Sequence, residues 1–277
     1  MSERLFEMII WFVAALSFVL IGTLIFDIGR LGTSGLSFDF LTQLPVNSGR
    51  AGGILPILTS TLIVLCITLT FTVPLGIACS LWLSEFVERK NAAAQLAKIG
   101  LDALAGVPSI VMGLFGHVFF SQFLGFGFSL LSGGLTLSCM ALPIFIKTTV
   151  EGLTALDSDW RRQAAALGLS KTTLVWNVLL PASSPAIAAG LILALGRATA
   201  ESAALIFTSG YVDRMPESVF DSGRVLSVHI YDLAMNVTGG DKAAYATALT
   251  LTALILLINV FVIWVSEKWL KGGALNL

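Results

Sequence analysis

Arg197 and Glu201 are the two ionisable residues in an otherwise apolar run, Ser183 to Gly210. If that run crosses a bilayer, each charge costs on the order of 3 kcal/mol to insert. A charge kept at that cost points to chemistry. The i,i+4 spacing predicts one shared helical face, with Gly190, Ala194 and Thr208 on or beside it. A guanidinium presents a fork of donors that matches the oxygens of an oxyanion. A neighbouring carboxylate competes for that fork and loosens the hold, as a conduit requires. Arg before Glu is the weaker order for a plain helix staple. Lys147, a cation without the fork, can snorkel to the membrane surface.

Other reactive residues read more plainly. His117 is expected to make a helix-to-helix hydrogen bond. A protease nucleophile at Ser109 is disfavoured, because Ile110 follows it and His117 lies on the same predicted helix. Cys66, Cys79 and Cys139 sit in apolar runs without a CxxC or a Cys/His cluster, so they read as small hydrophobes. No catalytic residue and no metal site are expected.

The surrounding elements are membrane helices. Of 277 residues, 56% are hydrophobic and 12% charged, against about 25% charged in a soluble domain. Mean hydropathy is +0.90. This excludes a soluble enzyme and a disordered chain, and a net charge of −1 excludes a nucleic-acid binder. A span needs about 20 apolar residues. Met8 to Phe26, Ala51 to Ser84, Ser183 to Gly210 and Ala243 to Ser266 each give one. Ala103 to Ile146 gives two, with the turn in the glycine-rich Ser121 to Gly134. The prediction is an all-α bundle of six spans. Pro74, Pro108, Pro143 and Pro185 are expected to kink their helices. Met1 to Glu7 makes a poor signal-peptide start, so the first span should remain as an anchor.

Lys and Arg set the orientation. With both termini inside, ten lie on the cytoplasmic side, among them Arg89, Lys90 and Lys271, and five outside. Outside, Arg214 and Arg224 are weak candidates for partner contacts, and Val225 to Met235 is expected to form a short interfacial helix.

Glu151 to Pro181 reads as helix, glycine, helix. Asp157, Ser158 or Asp159 can cap a helix ending near Leu167, Gly168 suits the left-handed stop, and Ser170 caps a second helix that Pro181 ends. This makes a cytoplasmic elbow carrying small apolar residues.

The segment resembles the EAA loop of ABC-importer permeases. Gly168, Val178, Leu180 and Pro181 fall in its register, and Ala164 matches its second alanine. The motif's Glu is Arg162 here and its first Ala is Gln163. The stretches GVPSIVMGLFG, LPIFIKTTVEGL, LALGRATAESAALIFTSG and SVHIYDLAMN look like phosphate-specific permeases of the PstA type. The resemblance implies a division into 1–54, a first span with its outer loop, and a permease core, 55–277, containing the coupling loop 151–181. It implies that Arg162, Gln163, Ala164, Ala165, Gly168, Leu180 and Pro181 serve coupling to an ATPase, and that Arg197, Glu201, Lys147 and Thr208 serve translocation. The implied partners are a second homologous permease, two ATP-binding subunits and an extracytoplasmic phosphate-binding protein, in the bacterial inner membrane. No G-x-x-x-x-G-K occurs, so the chain would bind no cofactor itself, with ATP and magnesium on the partner ATPase. The alternatives are the same machine for molybdate, sulfate or phosphonate, and an ATP-independent secondary transporter, for which no inverted repeat is found.

Overall fold

The computed structural model describes residues 3–88 and 91–274. Arg89 and Lys90 lie outside the described residues, as does the side chain of Lys271. Helix α1 (Glu3–Thr33) leads through α2 (Phe38–Thr42) to a small hairpin, β1 (Pro45–Val46) paired antiparallel with β2 (Ala51–Gly52). Then come α3 (Leu55–Leu81), α4 (Ala92–Gly106), α5 (Ser109–Gly116) and α6 (Leu130–Ala155). The loop 151–181 holds α7 (Ser158–Ala166), α8 (Lys171–Leu174) and α9 (Leu180–Ala182). The chain ends with α10 (Ser184–Ala200), α11 (Ala203–Ile206), α12 (Leu226–Met235) and α13 (Asp241–Ala274). Wide, π-type turns extend α3 over Trp82–Phe86, α5 over His117–Phe123 and α8 over Val175–Leu179.

Four helices are long and apolar enough to cross a membrane: Arg4–Thr33, Leu55–Phe86, Leu130–Ala155 and Asp241–Leu270. Two bent pairs, Ala92–Gly106 with Ser109–Phe123 at 105° and Lys171–Ala182 with Ser184–Ala200 at 64°, bring the total to as many as six if each pair counts as one span. The third predicted span is therefore not a straight helix. Pro108 forces the preceding residue out of helical geometry, and Val107 is extended at φ −69°, ψ 129°. The Ser109–Phe123 piece is about 22 Å long, short of a hydrocarbon core of about 30 Å. The turn after it is also narrower than the sequence suggests. Gly125 and Gly127 take positive φ within it, whereas Gly133 and Gly134 belong to α6.

Helices α3, α6 and α10 form the core. Gly134 brings α6 so close to α3 that a Cβ there would stand 2.5 Å from Ile67 Cγ2. Such contact between small residues is how membrane helices gain dispersion energy where lipid is as apolar as leucine. Buried hydroxyls add interhelical bonds, from Thr68 Oγ1 to the Gly134 carbonyl at 3.2 Å and from Ser80 Oγ to the Ile146 carbonyl at 3.2 Å. Fully buried Phe145 fills the middle, against Gly76 of α3 and Gly190 of α10. Helix α1 lies outside this core, packed on α13 near Gly32 and Gly35. It exposes Trp11 and Phe18, a surface suited to lipid and not to water.

Helix α12 forms where expected, but its face is buried: Leu226 to His229 and Leu233 pack inward. It caps the end of the core away from the loop 151–181. Arg224, expected as an exposed partner contact, is instead held by Asp232, Nη1 to Oδ2 at 2.9 Å, with 11% of its side chain exposed. His229 is fully buried beside them. Burial, then the Arg224 charge, lowers its pKa from 6.5 to about 4. The unfolded chain takes up this proton near pH 6.5 and the folded chain only near 4. Between those values the unfolded state binds more protons, so stability falls as pH falls. A thermal melt should therefore lose stability from pH 6.5 to 4, and His229→Gln should flatten that dependence.

Candidate functional site

The apolar run that carries Arg197 is broken. Helix α10 stops at Ala200, Glu201 is extended at φ −74°, ψ 119°, and α11 restarts at Ala203. Arg197 and Glu201 do meet, Nε to Oε1 at 3.9 Å, but this is a loose pair across a helix end and not a stripe on a continuous helix. Thr208 lies beyond the break. It is fully buried, and its hydroxyl donates to the Ala204 carbonyl at 2.8 Å.

The break is built by its neighbours. Ser227 of α12 donates to the freed carbonyl of Glu201 at 2.7 Å. Gly113 of α5 lies where a Cβ would stand 2.7 Å from Ala204 Cα, so α5 approaches α11 directly. Helix α5 thus packs on α11 just beyond the charged pair. Discontinuous helices with freed backbone groups at membrane depth are the usual architecture of ion and substrate sites in transporters. With 34% of the Arg197 side chain and 14% of the Glu201 side chain exposed, the pair is accessible without being solvated freely.

Lys147 is elsewhere. Its ammonium lies 2.5 Å from Asp102 of α4. It lines a cavity with Leu83, Lys98, Leu101 and Glu151. The face of α6 toward α10 is formed instead by Phe145, Thr148 and Gly152. His117 makes no helix-to-helix bond: its Nε2 lies 3.0 Å from Gln122 Nε2 of the same element.

The helix–Gly–helix elbow matches its expected local geometry. Asp157 caps α7 through the Asp159 amide at 2.9 Å, Gly168 takes φ +70°, and Ser170 caps α8 through the Thr173 amide at 3.1 Å. Leu180 and Pro181 are buried, but Pro181 opens α9 instead of closing a helix, and the chain bends on into α10. Ala164 is buried against the bundle, while Arg162, Gln163 and Ala165 face outward. Arg162 pairs with Asp159 of its own helix. Gly168→Ala should cost about 1–2 kcal/mol, since a Cβ disfavours left-handed geometry. Faster hydrogen exchange confined to residues 158–174 would show it.

One contact had no sequence signal. Arg161 grips Glu85 with two bonds, Nε to Oε2 at 3.0 Å and Nη2 to Oε1 at 2.6 Å. The Glu85 hydrogen bonds push the Arg161 pKa up, against the opposing effect of burial.

A bundle of broken and unbroken spans with a helix–Gly–helix elbow on one face defines an integral membrane transport component. Residues 72–270 match the family described as binding-protein-dependent transport system inner membrane component, and the chain belongs to that family. It is 31% identical over 252 residues to the probable ABC transporter permease protein YqgI of Bacillus subtilis (strain 168), covering 86% of this chain and 84% of that one. It is 29% identical over 230 residues to the phosphate transport system permease protein PstA of Xylella fastidiosa (strain 9a5c), covering 83% and 80%. Among solved structures, a bacterial alginate ABC transporter in complex with an alginate pentasaccharide-bound periplasmic protein superposes with a TM-score of 0.65. The match has 16% identity and covers 97% of this chain and 94% of that one, a likeness of fold.

Proposed function

We propose that this permease moves inorganic phosphate inward across the bacterial inner membrane, with both termini cytoplasmic. The observation that carries the proposal is the Arg197–Glu201 pair at the helix break after α10, in a chain similar along most of its length to phosphate permeases. Arg197 would present its fork to phosphate oxygens, and Glu201 would compete for the same fork and speed release. Lys147 and Thr208 stand apart from the pair in this conformation and would reach the path only in another state of the cycle.

The chain carries no nucleotide-binding loop of its own. Two partner ATPase subunits would bind ATP and magnesium, and their docking surface would be Arg162, Gln163, Ala165 and the elbow at Gly168. A second homologous permease and an external binding protein would complete the importer, with residues 1–54 accessory to the core at 55–277. Competition tests the substrate. Labelled phosphate uptake through the assembled system should persist in excess molybdate, sulfate or phosphonate. Suppression by one of these would reassign the transported oxyanion.

A further inference from the structure

We propose that Arg161 and Glu85 form a clasp that transmits movement of α7 into α3 and α6. The inference rests on the reading that α7 meets the ATPase. Glu85 sits in the wide turn at the cytoplasmic end of α3, and 11% of its side chain is exposed. Arg161 holds it by two bonds. The same guanidinium donates to the Leu153 carbonyl at 2.9 Å and the Leu156 carbonyl at 3.3 Å. These carbonyls belong to the end of α6, where helix groups lack partners along the helix. One planar fork therefore joins three elements, with little freedom to slip.

The connection continues into the bundle. Helix α6 meets α10 through Gly152 on Ala186 and Phe145 on Gly190, and α10 carries Arg197. A displacement of α7 is delivered to both core helices and on toward the broken span. Its neighbour Arg162, at the position of the family's Glu, cannot do this, because it is exposed and paired within α7. The clasp makes Arg161 and Glu85 positioning residues that touch neither the transported ion nor nucleotide.

The test is hydrogen exchange on the purified full complex with and without a non-hydrolysable ATP analogue and magnesium. This readout does not depend on which ion is carried. In the wild type, exchange in α7 and in α6 and α10 should change together on nucleotide addition. In Arg161→Ala and Glu85→Gln, α7 should still respond while the change in α6 and α10 shrinks by about fivefold. The double variant should be no worse than either single one. Arg161→Lys keeps the charge without the fork and should fall between. If Arg161→Ala does not assemble, Glu85→Gln and Arg161→Lys carry the test. A wild-type response of α6 and α10 in these variants overturns the clasp. So does release of the ATPase subunits by Arg161→Ala, which would place Arg161 on the docking surface. If the wild-type complex retains no ATPase, the docking reading fails first and the clasp with it.

Discussion

Arg197→Ala is expected to reduce phosphate uptake by at least about thirtyfold while the protein still reaches the membrane. A hydrogen bond to a charged group is worth about 1.5–3 kcal/mol, and here more than one guanidinium donor would be lost from the path. Glu201 would remain, with 14% of its side chain exposed and its cation gone. Without Arg197 the site would repel an anion instead of attracting it. Arg197→Lys should retain part of the activity, because it keeps the charge and loses the fork. Uptake of labelled phosphate in cells expressing the complete system, with membrane levels checked by blot, gives the comparison. Full-rate transport by Arg197→Ala would make the pair structural.

Gly134→Leu should disrupt the bundle itself. No space exists for a side chain, since even a Cβ would stand 2.5 Å from Ile67 Cγ2 and 3.2 Å from the Val64 carbonyl. Helices α3 and α6 would have to part, stretching the bond from Thr68 Oγ1 to the Gly134 carbonyl. Overpacking of this kind costs about 1–3 kcal/mol or more. The expected result is a lower melting temperature in detergent and reduced accumulation in the membrane. Gly100→Leu, at a position with no atom within 4 Å of the added Cβ, should be tolerated. Equal stability of the two variants would contradict the packing described for α3 and α6.

Span length made most of the long helices legible, because the bilayer imposes it. The elbow was legible because caps and a left-handed glycine are local: Asp157, Gly168 and Ser170 act within a few residues of themselves. The break at Glu201 was not. Arg197 and Glu201 keep helical spacing, and no proline or glycine separates them. The interruption is held by Ser227, 26 residues away, and by the approach of α5 at Gly113. Pro108 was read as a kink, although its effect on Val107 was available as a signal for a full turn of the chain. The Arg161–Glu85 contact joins residues 76 apart, and nothing in either local sequence announces it. The path role of Lys147 comes from the resemblance and not from its own surroundings, and its partner Asp102 lies on α4, an element the span pattern does not predict.

The central claim is tested most directly by reconstitution. The complete system would be placed in vesicles, with ATP supplied on the ATPase side and labelled phosphate with its binding protein on the other. Accumulation of phosphate that requires ATP and binding protein, and that survives collapse of the proton and sodium gradients, is the predicted result. Accumulation driven by an ion gradient through this chain with no ATPase present would contradict it.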